Sequence, residues 1–378
     1  MKKIISASEA IALGVKLCNP KVVSIYPITP QTMIPERIAD FVYDGEFDAE
    51  LVNVESEHSA LSVCLGAQAT GVRTFIATAS QGLELMHEIL FVVSGMRLPV
   101  VMAIANRALS APISIWNDHQ DSISARDSGW MQFYVETPQE ALDTVIMAYK
   151  IAEDHKILTP AMVCLDGYTL SHVYEPVDIP SQKQVDSFLP KYTPKYKLDP
   201  KKPLTMGPIA PPNIYMEIKK EQHAAMNSAL PLIKKANSDF KKIIGRKYGD
   251  GLIEGYKTKD ADFAIIAMGT ICGTIRTVVD EFRKKGKSVG LIKLKTFRPF
   301  PEERLKKELD NLKGVAVIDR DISVGQEGAV FTEVKSIADI PVHSFIAGLG
   351  GRDVRPKHIR TIFKKIEWAK KTKKEWLL

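Results

Sequence analysis

Four short apolar runs, Lys21 to Tyr26, Thr74 to Thr78, Leu98 to Ala105 and Ala161 to Leu165, recur through the first half of the chain. The first two lead into a Pro or Gly turn and then a helix-like run, Thr32 to Val42 and Leu83 to Met96. Runs this short and this apolar read as strands buried on both faces, and crossovers long enough for a helix join parallel neighbours. The pattern predicts an α/β fold, a doubly wound and mostly parallel sheet with helices on both faces. Ligands of such sheets gather at the carboxyl ends of the strands. Thr29, the turn Ser80-Gln81-Gly82 and Arg107 all fall just past predicted strands, so one rim is expected to hold them together.

The character changes after Pro180. Leu189 to Pro203 is rich in Lys, Pro and Tyr, which favours an extended arm, and Ile218 to Ile244 resumes a helical, charged pattern. A second α/β unit follows, with strands at Phe263 to Met268, Ser288 to Leu294, Val315 to Asp319 and Val342 to Ala347 and a helix at Ile275 to Lys285. The glycines of Gly348 to Gly351 read as a tight turn after the last of these strands. In the final run, His358 to Trp376, Ile359, Ile362, Phe363 and Ile366 are spaced helically and predict a face docked on its own domain. The expected organisation is 1–180, a connector 181–258 containing a helix, and 259–378.

Lys and Arg number 51 against 45 Asp and Glu, a formal charge of +6. The excess lies in the middle and at the C-terminal end without interleaved aromatics, which points to a solvated basic surface rather than a nucleic-acid site. No window reaches the roughly 18 uninterrupted apolar residues of a membrane helix, and the first residues lack a signal-peptide core, so a cytoplasmic protein is expected. The cysteines Cys18, Cys64, Cys164 and Cys272 never form a C-x-x-C pair. That spacing argues against a disulfide framework, a zinc site or an iron–sulfur cluster built by this chain alone.

Individual residues carry two readings each. Glu57, ahead of the apolar, small-residue run Ala60, Leu61, Val63, Leu65 and Ala67, is either a partly desolvated carboxylate suited to sharing a proton or a helix-terminal acid that favours the macrodipole. Thr29 could cap the helix after Pro30. Arg107, a guanidinium after a buried strand, suits a planar carboxylate held bidentately, or a surface ion pair. Ser80-Gln81-Gly82 could turn backbone amides toward a ligand, though on sequence alone an ordinary tight turn is the better reading. The stretch Ser110 to Asp127, with Trp116, Asn117, Asp118, His119 and Asp121, is too irregular for a helix and suits an active-site loop, locked by Asp118 and His119. His58, His87 and His172 read as satisfied scaffold histidines.

Several motifs, in this order, carry a resemblance: Tyr26-Pro27-Ile28-Thr29-Pro30, Ser56-Glu57-His58-Ser59-Ala60, Ala79-Ser80-Gln81-Gly82-Leu83, Ser94-Gly95-Met96-Arg97-Leu98-Pro99, Asn106-Arg107-Ala108-Leu109-Ser110-Ala111-Pro112, Ile115-Trp116-Asn117-Asp118-His119 and Gly348-Leu349-Gly350-Gly351-Arg352-Asp353. The chain resembles the alpha subunits of multisubunit pyruvate:ferredoxin oxidoreductases, within the 2-oxoacid:ferredoxin oxidoreductase family. The resemblance spans nearly the whole chain and is weakest in its Lys-rich middle. It implies a pyrimidine-type thiamine diphosphate domain followed by a transketolase C-terminal-like domain. It assigns Glu57 to the cofactor's aminopyrimidine, Thr29 and Arg107 to the 2-oxo acid, and Ser80, Gln81 and Gly82 to the cofactor.

The implied reaction is oxidative decarboxylation of pyruvate with coenzyme A, reversibly, with electrons passed to ferredoxin. Beta, gamma and delta subunits are the implied partners, and Mg2+ and [4Fe-4S] clusters are implied on them. Branched-chain 2-oxo acids are an alternative substrate, a lipoyl-linked thiamine dehydrogenase a second, and a non-catalytic α/β assembly subunit a third. Gly249-Asp250-Gly251 has the form that opens the metal–diphosphate motif of thiamine enzymes, but no asparagine lies between Gly251 and Asp310 and a Lys-rich helix precedes it. It reads as a linker turn, which leaves this chain as half of a cofactor site.

Overall fold

The computed structural model describes residues 1–367 and 371–378. A seven-stranded sheet runs in the spatial order Thr296–Arg298, Met131–Tyr134, Ala161–Asp166, Val101–Asn106, Thr74–Thr78, Val22–Ile25 and Glu50–Asn53. Every pairing is parallel except the first, where Thr296–Arg298 lies antiparallel to Met131–Tyr134. The central strands Thr74–Thr78, Val101–Asn106 and Ala161–Asp166 are buried at every position, which is why they read as plain apolar runs.

Helices cover both faces. Ala7–Cys18, capped by Ser6 accepting from the Glu9 amide, packs against Pro138–Ala152, capped by Thr137 accepting from the Glu140 amide. Glu57–Ala69 starts at Ser56, whose hydroxyl accepts from the Ser59 amide. The stretch expected as one helix from Leu83 to Met96 is two, Ser80–Leu85 and His87–Gly95, with Met86 at ψ −5° as the C-cap of the first, its amide donating to the Gly82 and Leu83 carbonyls. Ser110 to Asp127 is not wholly irregular either: Gln120–Ser124 forms a short helix.

The helix of the connector is longer than its charged pattern suggested and spans Pro212–Ile244. A second, six-stranded sheet follows in the order Lys374–Leu377, Val342–Ala347, Gly314–Asp319, Phe263–Ala267, Val289–Leu294 and Ile253–Tyr256, antiparallel only at the last pair. Of the final helical run, Pro356–Glu367 is helical and buries Ile359, Ile362, Phe363 and Ile366. Residues 368–370 of that run lie outside the described residues, and Lys374–Leu377 is a strand, not helix, because the exposed edge of Val342–Ala347 takes it up.

The two sheets are joined by buried charge. Glu140, on the helix Pro138–Ala152, receives Lys293 Nζ at 2.6 Å and Lys295 Nζ at 2.7 Å, and Glu136 stands 2.9 Å from Lys293. Burial pushes the Glu140 carboxyl up, but the two ammoniums prevail and hold it at about 2. Lys295, buried and repelled by Lys293, is pushed down despite Glu140.

Candidate active site

The rim at the carboxyl ends of the adjacent strands Val22–Ile25, Thr74–Thr78 and Val101–Asn106 brings the expected residues together. Glu57 is the first residue of its helix and is only 7% exposed. Its carboxylate makes no hydrogen bond or ion pair among the described residues, so its oxygens stay free. It lies against the turn after Thr74–Thr78: a Cβ on Gly82 would stand 2.7 Å from Glu57 Oε1 and 2.6 Å from Thr78 Oγ1. Only glycine permits that approach.

Arg107 follows the buried strand Val101–Asn106 and is 8% exposed. Its Nη1 donates to the Thr29 carbonyl at 3.0 Å and its Nε to the Ser114 carbonyl at 3.2 Å. Nη2 has no protein partner among the described residues, which leaves one side of the guanidinium for a planar anion. Thr29 is exposed beside it and does not cap the following helix, which begins at Met33 after Thr32.

The turn corrects one expectation. The Ser80 amide is committed to Asp121 Oδ2 at 2.9 Å and the Gly82 amide to the Ala79 carbonyl at 2.9 Å, so these two do not point freely at a ligand. The Ser80 hydroxyl donates to the Ala108 carbonyl at 2.6 Å and also meets Gln81 Oε1 at 2.6 Å. The loop behind Arg107 is locked as expected. Asp118 accepts from the Gln120 and Gly350 amides, each at 3.0 Å, and His119 Nε2 pairs with Asp166 Oδ1 at 2.8 Å. Asp166 also accepts from the Thr270 amide at 2.9 Å and Arg320 Nη1 at 2.8 Å, tying the loop to the second sheet. Burial pushes that carboxyl up, but Arg320 and His119 hold it well below the usual range.

His58 faces Glu88 at 3.8 Å and His172 bonds to the Ser171 hydroxyl at 2.7 Å. His87 departs from its reading as a satisfied histidine, since its Nδ1 is buried without a partner among the described residues. The residue that sequence reasoning undervalued is Asp121, fully buried among Ser80, Asn106, Arg107 and Ser122. Burial pushes its carboxyl up to about 6 against the hydrogen bonds from Asn106, Arg107 and Ser80. The signal in sequence was slight: an acid inside a polar loop that follows a predicted strand.

The chain belongs to the pyruvate flavodoxin/ferredoxin oxidoreductase family. The model of the family's thiamine diphosphate-binding region matches residues 13–238, and that of the pyruvate:ferredoxin oxidoreductase core domain II matches 261–359. It is 53% identical to the pyruvate synthase subunit PorA of Methanothermobacter thermautotrophicus, over 97% of this chain and 95% of that one. It is 44% identical to the ketoisovalerate oxidoreductase subunit VorA of Pyrococcus horikoshii, over 99% and 97%. The fold matches a solved 2-oxoglutarate:ferredoxin oxidoreductase of Magnetococcus marinus with 2-oxoglutarate, coenzyme A and succinyl-CoA bound, with a TM-score of 0.77 at 20% identity. That match covers 96% of this chain and 65% of the longer neighbour. The architecture is thus a doubly wound thiamine diphosphate-binding α/β domain followed by a second α/β domain that the core domain II model matches.

Proposed function

We propose that this chain is the alpha subunit of a pyruvate:ferredoxin oxidoreductase, an enzyme converting pyruvate and coenzyme A to acetyl-CoA and carbon dioxide while two electrons leave singly to ferredoxin. The observation that carries the reading is the Glu57 carboxylate, buried and unpartnered over Gly82, on the same rim as the Arg107–Thr29 pair. A buried acid with free oxygens fits a ring nitrogen that must gain and lose a proton, so the residues present suit thiamine diphosphate. When bound, that cofactor supplies a carbanion that adds to the ketone carbon and a ring that accepts the electrons freed as carbon dioxide departs.

Glu57 holds a proton at its carboxylate oxygen and shares it with the aminopyrimidine. Arg107 grips the carboxylate of the 2-oxo acid through its free Nη2, and Thr29 lines the same approach with its hydroxyl. Ser80, Gln81 and Gly82 act as the cradle beneath the ring, chiefly by shape, since the Ser80 and Gly82 amides are occupied. The pyrimidine-binding unit is read as 1–180, the connector as 181–258 and the second domain as 259–378. Higher identity to the pyruvate-named relative than to the ketoisovalerate-named one supports pyruvate as substrate.

The rest of the site belongs to partner chains in this reading. Asp250 of Gly249-Asp250-Gly251 accepts from the Leu252 and Ile253 amides, each at 3.0 Å, and from Arg304 Nε at 2.8 Å. Its carboxylate is spent on a turn, so a beta subunit is assigned the diphosphate and Mg2+. Gamma and delta subunits complete the complex, and the [4Fe-4S] clusters are placed on partners because the four thiols here are buried in separate elements. Free buried thiols also suit the reducing cytoplasm, where we place the complex.

The test is pyruvate- and coenzyme A-dependent dye reduction by the co-purified complex with added thiamine diphosphate, wild type against Glu57→Gln. A loss on the order of a hundredfold or more is expected for a missing proton-transfer group. Equal activity of the variant would remove the mechanism, and activity with a branched-chain 2-oxo acid alone would change the substrate.

A further inference from the structure

One buried acid on the rim is not used by the chemistry above. Asp121 has no exposed surface, yet it reaches the ends of two neighbouring strands. Its Oδ2 accepts from the Ser80 backbone amide at 2.9 Å and from the Arg107 backbone amide at 3.0 Å. Its Oδ1 accepts from Asn106 Nδ2 and from its neighbour's Ser122 amide, both at 2.7 Å. Ser80 sits at a φ of 48°, a left-handed conformation that a residue with a side chain keeps only when its surroundings over-determine it. Asp121 on its amide and the Ala108 carbonyl on its hydroxyl provide that constraint.

The two backbones joined in this way lead to opposite sides of the site. Ser80 opens the turn whose Gly82 lies under Glu57, and Arg107 is the guanidinium beside Thr29. We propose that Asp121 is a positioning residue that fixes the separation between Glu57 and Arg107, so that a 2-oxo acid held by its carboxylate meets the cofactor at the reacting distance. The inference rests on the assignment of Arg107 to the substrate carboxylate and of Glu57 to the cofactor.

A carboxylate suits this task because all four of its neighbours are donors and it is acceptor only. An asparagine of the same shape keeps one oxygen and turns an amide N–H2 toward two of those donors. Either the Ser80–Arg107 pair or the Asn106–Ser122 pair then loses its acceptor, and the strand ends shift apart without removal of any group that touches substrate. A misplacement of about 1 Å at a reacting centre costs on the order of a hundredfold.

The experiment compares Asp121→Asn, Asn106→Ala, Arg107→Lys and Asp143→Asn in the co-purified complex. It reads pyruvate KM and kcat, the thermal midpoint, and thiamine diphosphate affinity from quenching of tryptophan fluorescence. Asp143 is an equally buried acid tied to Arg246 and Tyr248 away from the rim, and its variant controls for lost stability. Asp121→Asn is expected to raise pyruvate KM and lower kcat, together roughly tenfold or more in kcat/KM, with thiamine affinity close to wild type, while Asp143→Asn lowers the midpoint and leaves KM and kcat in place. Where Asp121→Asn yields no assembled complex, Asn106→Ala carries the test, because it keeps the carboxylate and removes one of the two donors to Oδ1; a raised KM supports the proposal. An unchanged KM in the folded variants, with only the midpoint or cofactor affinity lowered, overturns it. Should Arg107→Lys leave pyruvate KM unchanged, the substrate assignment beneath the proposal falls instead, whatever Asp121→Asn does.

Discussion

The tightest packing around Glu57 is against a residue with no side chain. A methyl group on Gly82 would overlap both Thr78 Oγ1 and the Glu57 carboxylate, so Gly82→Ala must push Glu57 off its place at the head of its helix. We expect Gly82→Ala to lose about tenfold or more in kcat, since the proton-sharing group is displaced rather than deleted, with pyruvate KM near wild type. Steady-state kinetics beside a thermal midpoint check it; an unaltered kcat would mean that Glu57 does not depend on this cradle. Thr29 and Arg107 could be placed on the rim from sequence because each lies past a strand that reads as an apolar run, whereas Glu57 follows the half-exposed strand Glu50–Asn53, which no apolar run announces, and was singled out by its motif. The commitment of the Ser80 amide and the reach of Asp121 were not legible there. Both depend on a loop folding back over the ends of two strands, and no local spacing encodes that contact.

Glu140 is the point at which one helix meets the lysine of a strand and the lysine just past its end, and its pH dependence has a definite sign. Its carboxyl is lowered on folding from an ordinary 4.5 to about 2, so its contribution to stability is full above about 4.5 and is lost as pH falls toward about 2. Replacement by Gln leaves Lys293 and Lys295 buried without it. Glu140→Gln is expected to destabilise by about 3–5 kcal/mol and to flatten the acid limb between those pH values. Denaturant unfolding of the chain at several pH values reads both, and an acid limb of unchanged slope would place the titration elsewhere. Among the elements, strands buried on both faces and the amphipathic helix Pro356–Glu367 were readable from pattern alone. Thr296–Arg298 was not, being only three residues long and directly followed by a proline, nor was Lys374–Leu377, whose Lys374 and Glu375 suit a helix until a sheet edge takes them.

At the scale of the whole molecule the chain presents an acid, a guanidinium and a glycine cradle, with its one Gly-Asp-Gly aspartate occupied by a turn. The purified chain by itself is therefore expected to give no pyruvate-dependent dye reduction at any thiamine diphosphate and Mg2+ concentration, with activity returning on co-expression with the partner subunits. Turnover by the lone chain would show that it holds the entire site. The antiparallel strand Thr296–Arg298 bears on how such a molecule is made. The edge Met131–Tyr134 waits for a segment that leaves the ribosome about 160 residues later, so the N-terminal sheet is born with an open flank. Cutting the polypeptide between residues 258 and 259 strands that flank permanently, and the front fragment should be sticky unless the rear fragment is supplied in trans.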